Sequence, residues 1–166
     1  MTILQLLTRL SSLTTALVRP LRWLGLAMVL LTFAIVILRY AFNSGGVLLQ
    51  ESVMYLHGTL FMLAIALGIS DNTHVRVDIL YSRRSCEQQA WIDLIGHLLF
   101  LLPVAGFMIW VSLPYVINSW QILEGSSEVG GIPAVFLLKT LIPLTGVLLF
   151  CQGLAGIANI LLAKLR

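Results

Sequence analysis

Three histidines, two cysteines and a handful of carboxylates are the residues of this 166-residue chain with types suited to chemistry. His57 and His97 stand well inside long apolar runs, a setting in which paired imidazoles ligate haem iron. His57 lies six residues past Glu51 and His97 four past Asp93, on runs that must be antiparallel. That puts them in opposite leaflets and disfavours a shared iron. The plainer role for each is a hydrogen bond to a neighbouring helix. His74 and Asp78 fall one turn apart if their segment is helical, but no nucleophile accompanies them. Nucleophilic and paired-carboxylate chemistry need groups that converge within hydrogen-bond reach. Cys86 sits in a polar stretch and Cys151 about 20 Å deep in an apolar one, at ~1.5 Å per residue, too far apart for a disulfide. Neither has a second thiol or histidine at metal-site spacing. An enzyme is disfavoured, and no catalytic, cofactor-binding or metal-binding residue is assigned.

The elements that must position these side chains follow from composition. The chain is 59% hydrophobic and 10% charged, against ~25% charged for an ordinary soluble domain. A spanning helix takes roughly 20 apolar residues, so four of them with short connections fill the length. The ten basic residues are scattered singly or in pairs without interleaved aromatics, which argues against nucleic acid.

Residues 3–17 carry Ile3, Leu6, Leu7, Leu10, Leu13 and Leu17 at helical spacing with Gln5, Arg9, Ser12 and Thr15 between them. This pattern predicts an amphipathic helix in the membrane interface over residues 1–19. A cleaved signal peptide is the rival, but Arg9 interrupts its apolar run and no basic region precedes it. A four-helix transmembrane domain over 20–166 follows, with spans at about 21–42, 51–70, 86–115 and 132–162. Sixteen uncharged residues separate Arg22 from Arg39, nineteen separate Glu51 from Asp71, and thirty run from Leu94 to Leu123. The last run exceeds one crossing and must tilt, or emerge beyond Pro114. Ser85 with Gln88 has the spacing of a capping box at the start of the third span, and Pro133 suits the first turn of the fourth. Small pairs, Ala64 with Gly68 and Gly153 with Gly156, permit close helix approach. The expected fold is all-α and integral to the membrane.

Eight of the ten Lys and Arg residues fall on one side of these spans: Arg9, Arg19, Arg22, Arg76, Arg83, Arg84, Lys164 and Arg166. Arg39 and Lys139 are on the other, with Glu51, Glu124 and Glu128 nearby. The positive-inside rule then predicts cytoplasmic termini, in agreement with an even number of spans. The middles of all four spans lack Asp, Glu, Lys and Arg, so a self-sufficient ion-coupled carrier is not expected.

The most distinctive local pattern is His74-Val75-Arg76-Val77-Asp78, in which polar residues alternate with apolar ones, as suits a connector lying on the membrane surface. Together with Arg39-Tyr40-Ala41-Phe42-Asn43 closing the first span, Gln50-Glu51 opening the second, and Glu124, Gly130-Gly131-Ile132-Pro133 and Lys139 around the start of the fourth, it resembles the DctQ-type small membrane subunit of tripartite ATP-independent periplasmic (TRAP) transporters. The similarity covers roughly residues 20–160 and keeps the motifs in order. One departure is Asp71, ahead of the HVRVD pattern. The resemblance implies a scaffold in the bacterial inner membrane, bracing a large membrane subunit for ion-coupled, sodium-type uptake of an organic acid or related solute. A periplasmic solute-binding protein would deliver that solute. No cofactor is implied. Partners would be those two proteins and membrane lipids, with Arg39, Glu51, His74, Arg76, Asp78, Arg83, Arg84, Glu124, Glu128 and Lys139 as candidate interface or lipid-anchoring residues. The alternative is a membrane anchor subunit of a haem- or quinone-linked redox complex.

Overall fold

A computed structural model describes residues 19–70, 81 and 83–164, and among them every regular element is helical. The amphipathic segment expected before residue 19, and His74, Arg76 and Asp78, lie outside the described residues. After a single 3-10 turn at Arg19–Leu21, α1 runs Arg22–Phe42, α2 Val47–Ser70, α3 Cys86–Gln121 and α4 Val135–Lys164. All four are long and apolar enough to cross a bilayer. Each forms because a long uncharged run must satisfy its own backbone hydrogen bonds once water is gone, and a helix does so within one segment.

The ends have local causes. Asn43 closes α1 in a left-handed conformation (φ 49°), which asparagine tolerates, and its N–H donates to the Leu38 carbonyl. The Ser85–Gln88 capping box is formed: the Gln88 N–H donates to Ser85 Oγ, and the Ser85 N–H to Gln88 Oε1. α3 differs from the sequence expectation. Its helix passes Pro114 and continues to Gln121, 36 residues in all, or about 54 Å at ~1.5 Å per residue, against a hydrocarbon core of ~30 Å. Inside it, Gly96–Leu101 widens to a π-helical turn. Pro133 lies two residues ahead of α4, not in its first turn.

The helices form an open row, not a closed bundle. α1 packs on α2, α2 also on α4, and α4 on α3, so the spatial order is α1, α2, α4, α3. Burial follows that order: 33% of the apolar window of α4 is buried, and none of α1's. Small residues on α4 permit its central place. A side chain at Gly146 would come within 2.7 Å of Ile109, and one at Gly153 within 3.0 Å of Leu102. Ala155 and Ala158 are almost wholly enclosed. The fully buried Thr145 hydroxyl reaches the Leu141 carbonyl at 2.7 Å and the Met62 carbonyl of α2 at 3.2 Å, pinning α4 to α2 without a charge.

Candidate functional site

The polar chemistry gathers at one end of the row, where residues 122–134 link α3 to α4. Two carboxylates hold this link. Glu51, in the first two turns of α2, accepts a hydrogen bond from the Ser126 hydroxyl and one of 2.5 Å from the Ile132 N–H. A neutral acceptor would make these bonds weaker, because an ionised oxygen roughly doubles hydrogen-bond strength. Gly131 is required beside it: a Cβ there would lie 2.7 Å from Glu51 Oε1 and collide with Ser126 Oγ. Gly130 adopts φ +80°, the left-handed region open to glycine, and lets the chain double back. The Ser126 N–H donates to the Ile132 carbonyl at 3.2 Å and the Gly131 N–H to the Glu128 carbonyl at 3.1 Å, so the link is closed on itself.

The second carboxylate belongs to the link itself. Glu124 Oε2 accepts from Lys139 Nζ of α4 at 2.5 Å and from the Ser119 hydroxyl of α3 at 2.6 Å. The Lys139 hydrogen bond, followed by that from Ser119, holds the Glu124 carboxyl below its ordinary pKa. Lys139 Nζ also stands 4.1 Å from the centre of the Tyr115 ring, within cation–π range. Next to it Trp120 meets Phe136 edge-on at 4.6 Å, and its indole N–H donates to Thr140 Oγ1 at 2.9 Å. Leu123 takes a positive φ of 45°, a strained conformation for a branched residue, held by its N–H to the Trp120 carbonyl and by the adjoining Glu124 N–H to the Ser119 carbonyl. Both serines donate to carboxylates, which is an arrangement for clamping helix ends, not for nucleophilic attack.

Three motifs far apart in sequence therefore meet here: Gln50-Glu51, Glu124 with Gly130-Gly131-Ile132-Pro133, and Lys139. Among the other candidates, Arg39 is exposed in the last turn of α1, and Glu128 is exposed on the link with its N–H donating to Ser126 Oγ at 3.1 Å. Arg83 and Arg84 are exposed at the opposite end, before α3. There the Tyr81 hydroxyl donates to Asp93 Oδ2 at 2.8 Å, and the Gln89 amide to the carbonyls of Tyr81 and Arg84. Ser119, Ser126, Tyr115, Trp120 and Thr140 escaped sequence reasoning. A serine two residues after a glutamate in a short link is the single hint available, and it does not name its distant partner.

His57 and His97 do not converge. His97 Nδ1 lies 2.8 Å from the Asp93 carbonyl on its own helix, so Nδ1 carries the proton, and the ring fills the space left by Gly156 of α4. His57 is exposed on α2, stacked at 6.0 Å on Phe61 of the same helix. Among the described residues neither meets the expectation that each bonds to a neighbouring helix: His97 uses its own helix, and His57 has no hydrogen-bond partner there.

Four apolar helices, tied at one end through Glu51, Glu124 and Lys139, define a multi-pass membrane protein. Residues 28–163 match the family model of tripartite ATP-independent periplasmic transporters, DctQ component, and the chain belongs to that family. It is a transporter component and not an enzyme, and its place is the inner membrane. A Haemophilus influenzae protein named "Putative TRAP transporter small permease protein" is 30% identical over 102 residues, 59% of this chain. The match spans 62% of that relative's length. No solved structure matches the chain.

Proposed function

We propose that this chain is a static brace for the large membrane subunit of a TRAP-type transporter, which takes up an organic acid or related solute coupled to sodium. A periplasmic binding protein delivers the solute. The carrying observation is the distribution of charge. Between Arg22 and Arg39, Glu51 and Ser70, Asp93 and Gln121, and Lys139 and Lys164, no Asp, Glu, Lys or Arg occurs. Polar groups deeper in the row, such as Thr145 and Ser112, are spent on backbone carbonyls. Binding an ion or a carboxylate solute at mid-depth needs converging charges or broken helix ends. Those therefore belong to the partner, and this chain supplies stiffness.

A moving transport element needs a fixed frame, and a row of helices clamped at one end by two carboxylates resists shear between its members. In this reading the exposed Arg83 and Arg84 seat on anionic headgroups, each contributing about 1 kcal/mol near the surface. The Glu51-clamped link faces the periplasm. The test is to exchange this subunit alone between two related transporters of different substrates and measure uptake per assembled complex. Unchanged selectivity with loss of assembly or stability on deletion supports the brace. A change in which solute is carried refutes it.

A further inference from the structure

Tyr55 follows Glu51 by one turn of α2, so the two side chains share a face of that helix. The residue is half-buried, but its hydroxyl oxygen is enclosed and has no hydrogen-bond partner among the described residues. An enclosed O–H left unpaired is costly, because neither water nor protein satisfies it. The nearest charge is close enough to act on it, and that charge is Glu51. Both Glu51 oxygens are meanwhile committed to the link between α3 and α4: Oε1 accepts from the Ser126 hydroxyl and Oε2 from the Ile132 N–H. Side chains four apart on a helix are neighbours, and a tyrosine leans back toward the N-terminus. A Glu51 rotamer turned off the link therefore meets the phenol. The link itself can leave as a unit. Its internal bonds, Ser126 N–H to the Ile132 carbonyl and Gly131 N–H to the Glu128 carbonyl, do not involve α2, and its described hydrogen bonds to α2 both end on Glu51.

We propose that residues 126–132 form a strap with two positions and that Tyr55 is the positioning residue for the second: when the strap lifts, Glu51 exchanges Ser126 and Ile132 for the Tyr55 hydroxyl. In the closed position the phenol is the group left unpaired. In the lifted one the carboxylate and the phenol satisfy each other, while Ser126 and Ile132 meet water. The two positions therefore differ by less than the two bonds of Glu51 alone imply, and the strap is poised between them. The device needs no partner protein, so it stands whether or not the chain braces a larger subunit.

Hydrogen exchange of the Ile132 amide, measured on the full chain in nanodiscs, tests this with Tyr55→Phe. Removing the hydroxyl takes the unpaired group from the closed strap and the new partner from the lifted one. Ile132 should then exchange about fivefold to tenfold more slowly than in the native chain. A lost tyrosine hydroxyl that had been holding the link would instead speed exchange. In a Glu51→Ala background Tyr55→Phe should change the rate by less than about twofold, because no carboxylate remains to be handed over. The Leu123 and Glu124 amides, bound to carbonyls of α3, should keep their rates. Faster or unchanged exchange at Ile132 in Tyr55→Phe overturns the strap, since the hydroxyl then supports the closed link or costs it nothing. Equal slowing at Leu123 and Glu124 also overturns it, as a gain spread over the whole fold. Slowing that persists in full without Glu51 shows that water takes up the phenol, and it overturns the exchange of partners.

Discussion

Removing the Glu51 carboxylate should free residues 122–134 while leaving the helices standing. Glu51→Ala strips the acceptor from the Ile132 N–H and the Ser126 hydroxyl. Hydrogen bonds to a charged group contribute about 1.5 to 3 kcal/mol each when buried. Glu51 is half-exposed, so water replaces part of each bond and the lower ends apply, about 2 to 3 kcal/mol for the pair. The loss falls on local opening of the link, since the α3–α4 contact is carried by other residues and by the separate Glu124–Lys139 pair. At a factor of ten per 1.4 kcal/mol, the Ile132 amide should exchange with solvent roughly 30- to 150-fold faster. Hydrogen exchange with mass spectrometry, on protein in detergent or nanodiscs, reads this directly. Glu51→Gln keeps one neutral acceptor and should fall about midway. Gly131→Ala should mimic Glu51→Ala, because its Cβ would lie 2.7 Å from Glu51 Oε1. Combining Gly131→Ala with Glu51→Ala should cost less than the two separately, since they break one contact. Unchanged exchange at Ile132 in Glu51→Ala would show that the carboxylate does not hold the link.

Three further outcomes are expected. Gly156→Ala drives a Cβ into the His97 ring and should destabilise the α3–α4 pair by about 1 to 3 kcal/mol as overpacking; His97→Ala in the same chain should recover most of it in a thermal melt. The Glu124 carboxyl is held below its ordinary pKa, so the stability it contributes is complete above the usual carboxylate range and disappears as pH falls through its depressed value. The melting-temperature gap between the native chain and Glu124→Gln should close in acid, and a gap that widens there would contradict the ion pair. Cysteines placed at 44–46 or 125–130 should react with an impermeant thiol reagent from the periplasm and one at 83 from the cytoplasm alone; labelling of position 83 from outside would reverse the orientation.

The four spanning helices were legible from the chain's composition alone. An uncharged run of about 20 residues has one way to satisfy its backbone in hydrocarbon, so Trp23 to Leu38 or Ser52 to Ser70 reads as helix without knowledge of any neighbour. The Ser85–Gln88 cap was legible for the same reason, since both partners lie within one turn. The order of the motifs pointed to the family. The family resemblance also singled out Glu51, Glu124 and Lys139, yet it offered no means of joining Glu51 to Ile132, 81 positions away. That contact exists because Gly58 and Thr145 bring α2 and α4 together side by side and in parallel, which sets Glu51 beside the start of α4. Apolar runs of similar composition pack in many orders, and the choice of an open α1, α2, α4, α3 row depends on which small residues face each other after folding. The same packing separated two histidines that look alike in sequence: Gly156 leaves room for His97 inside the row, and no helix among the described residues covers His57.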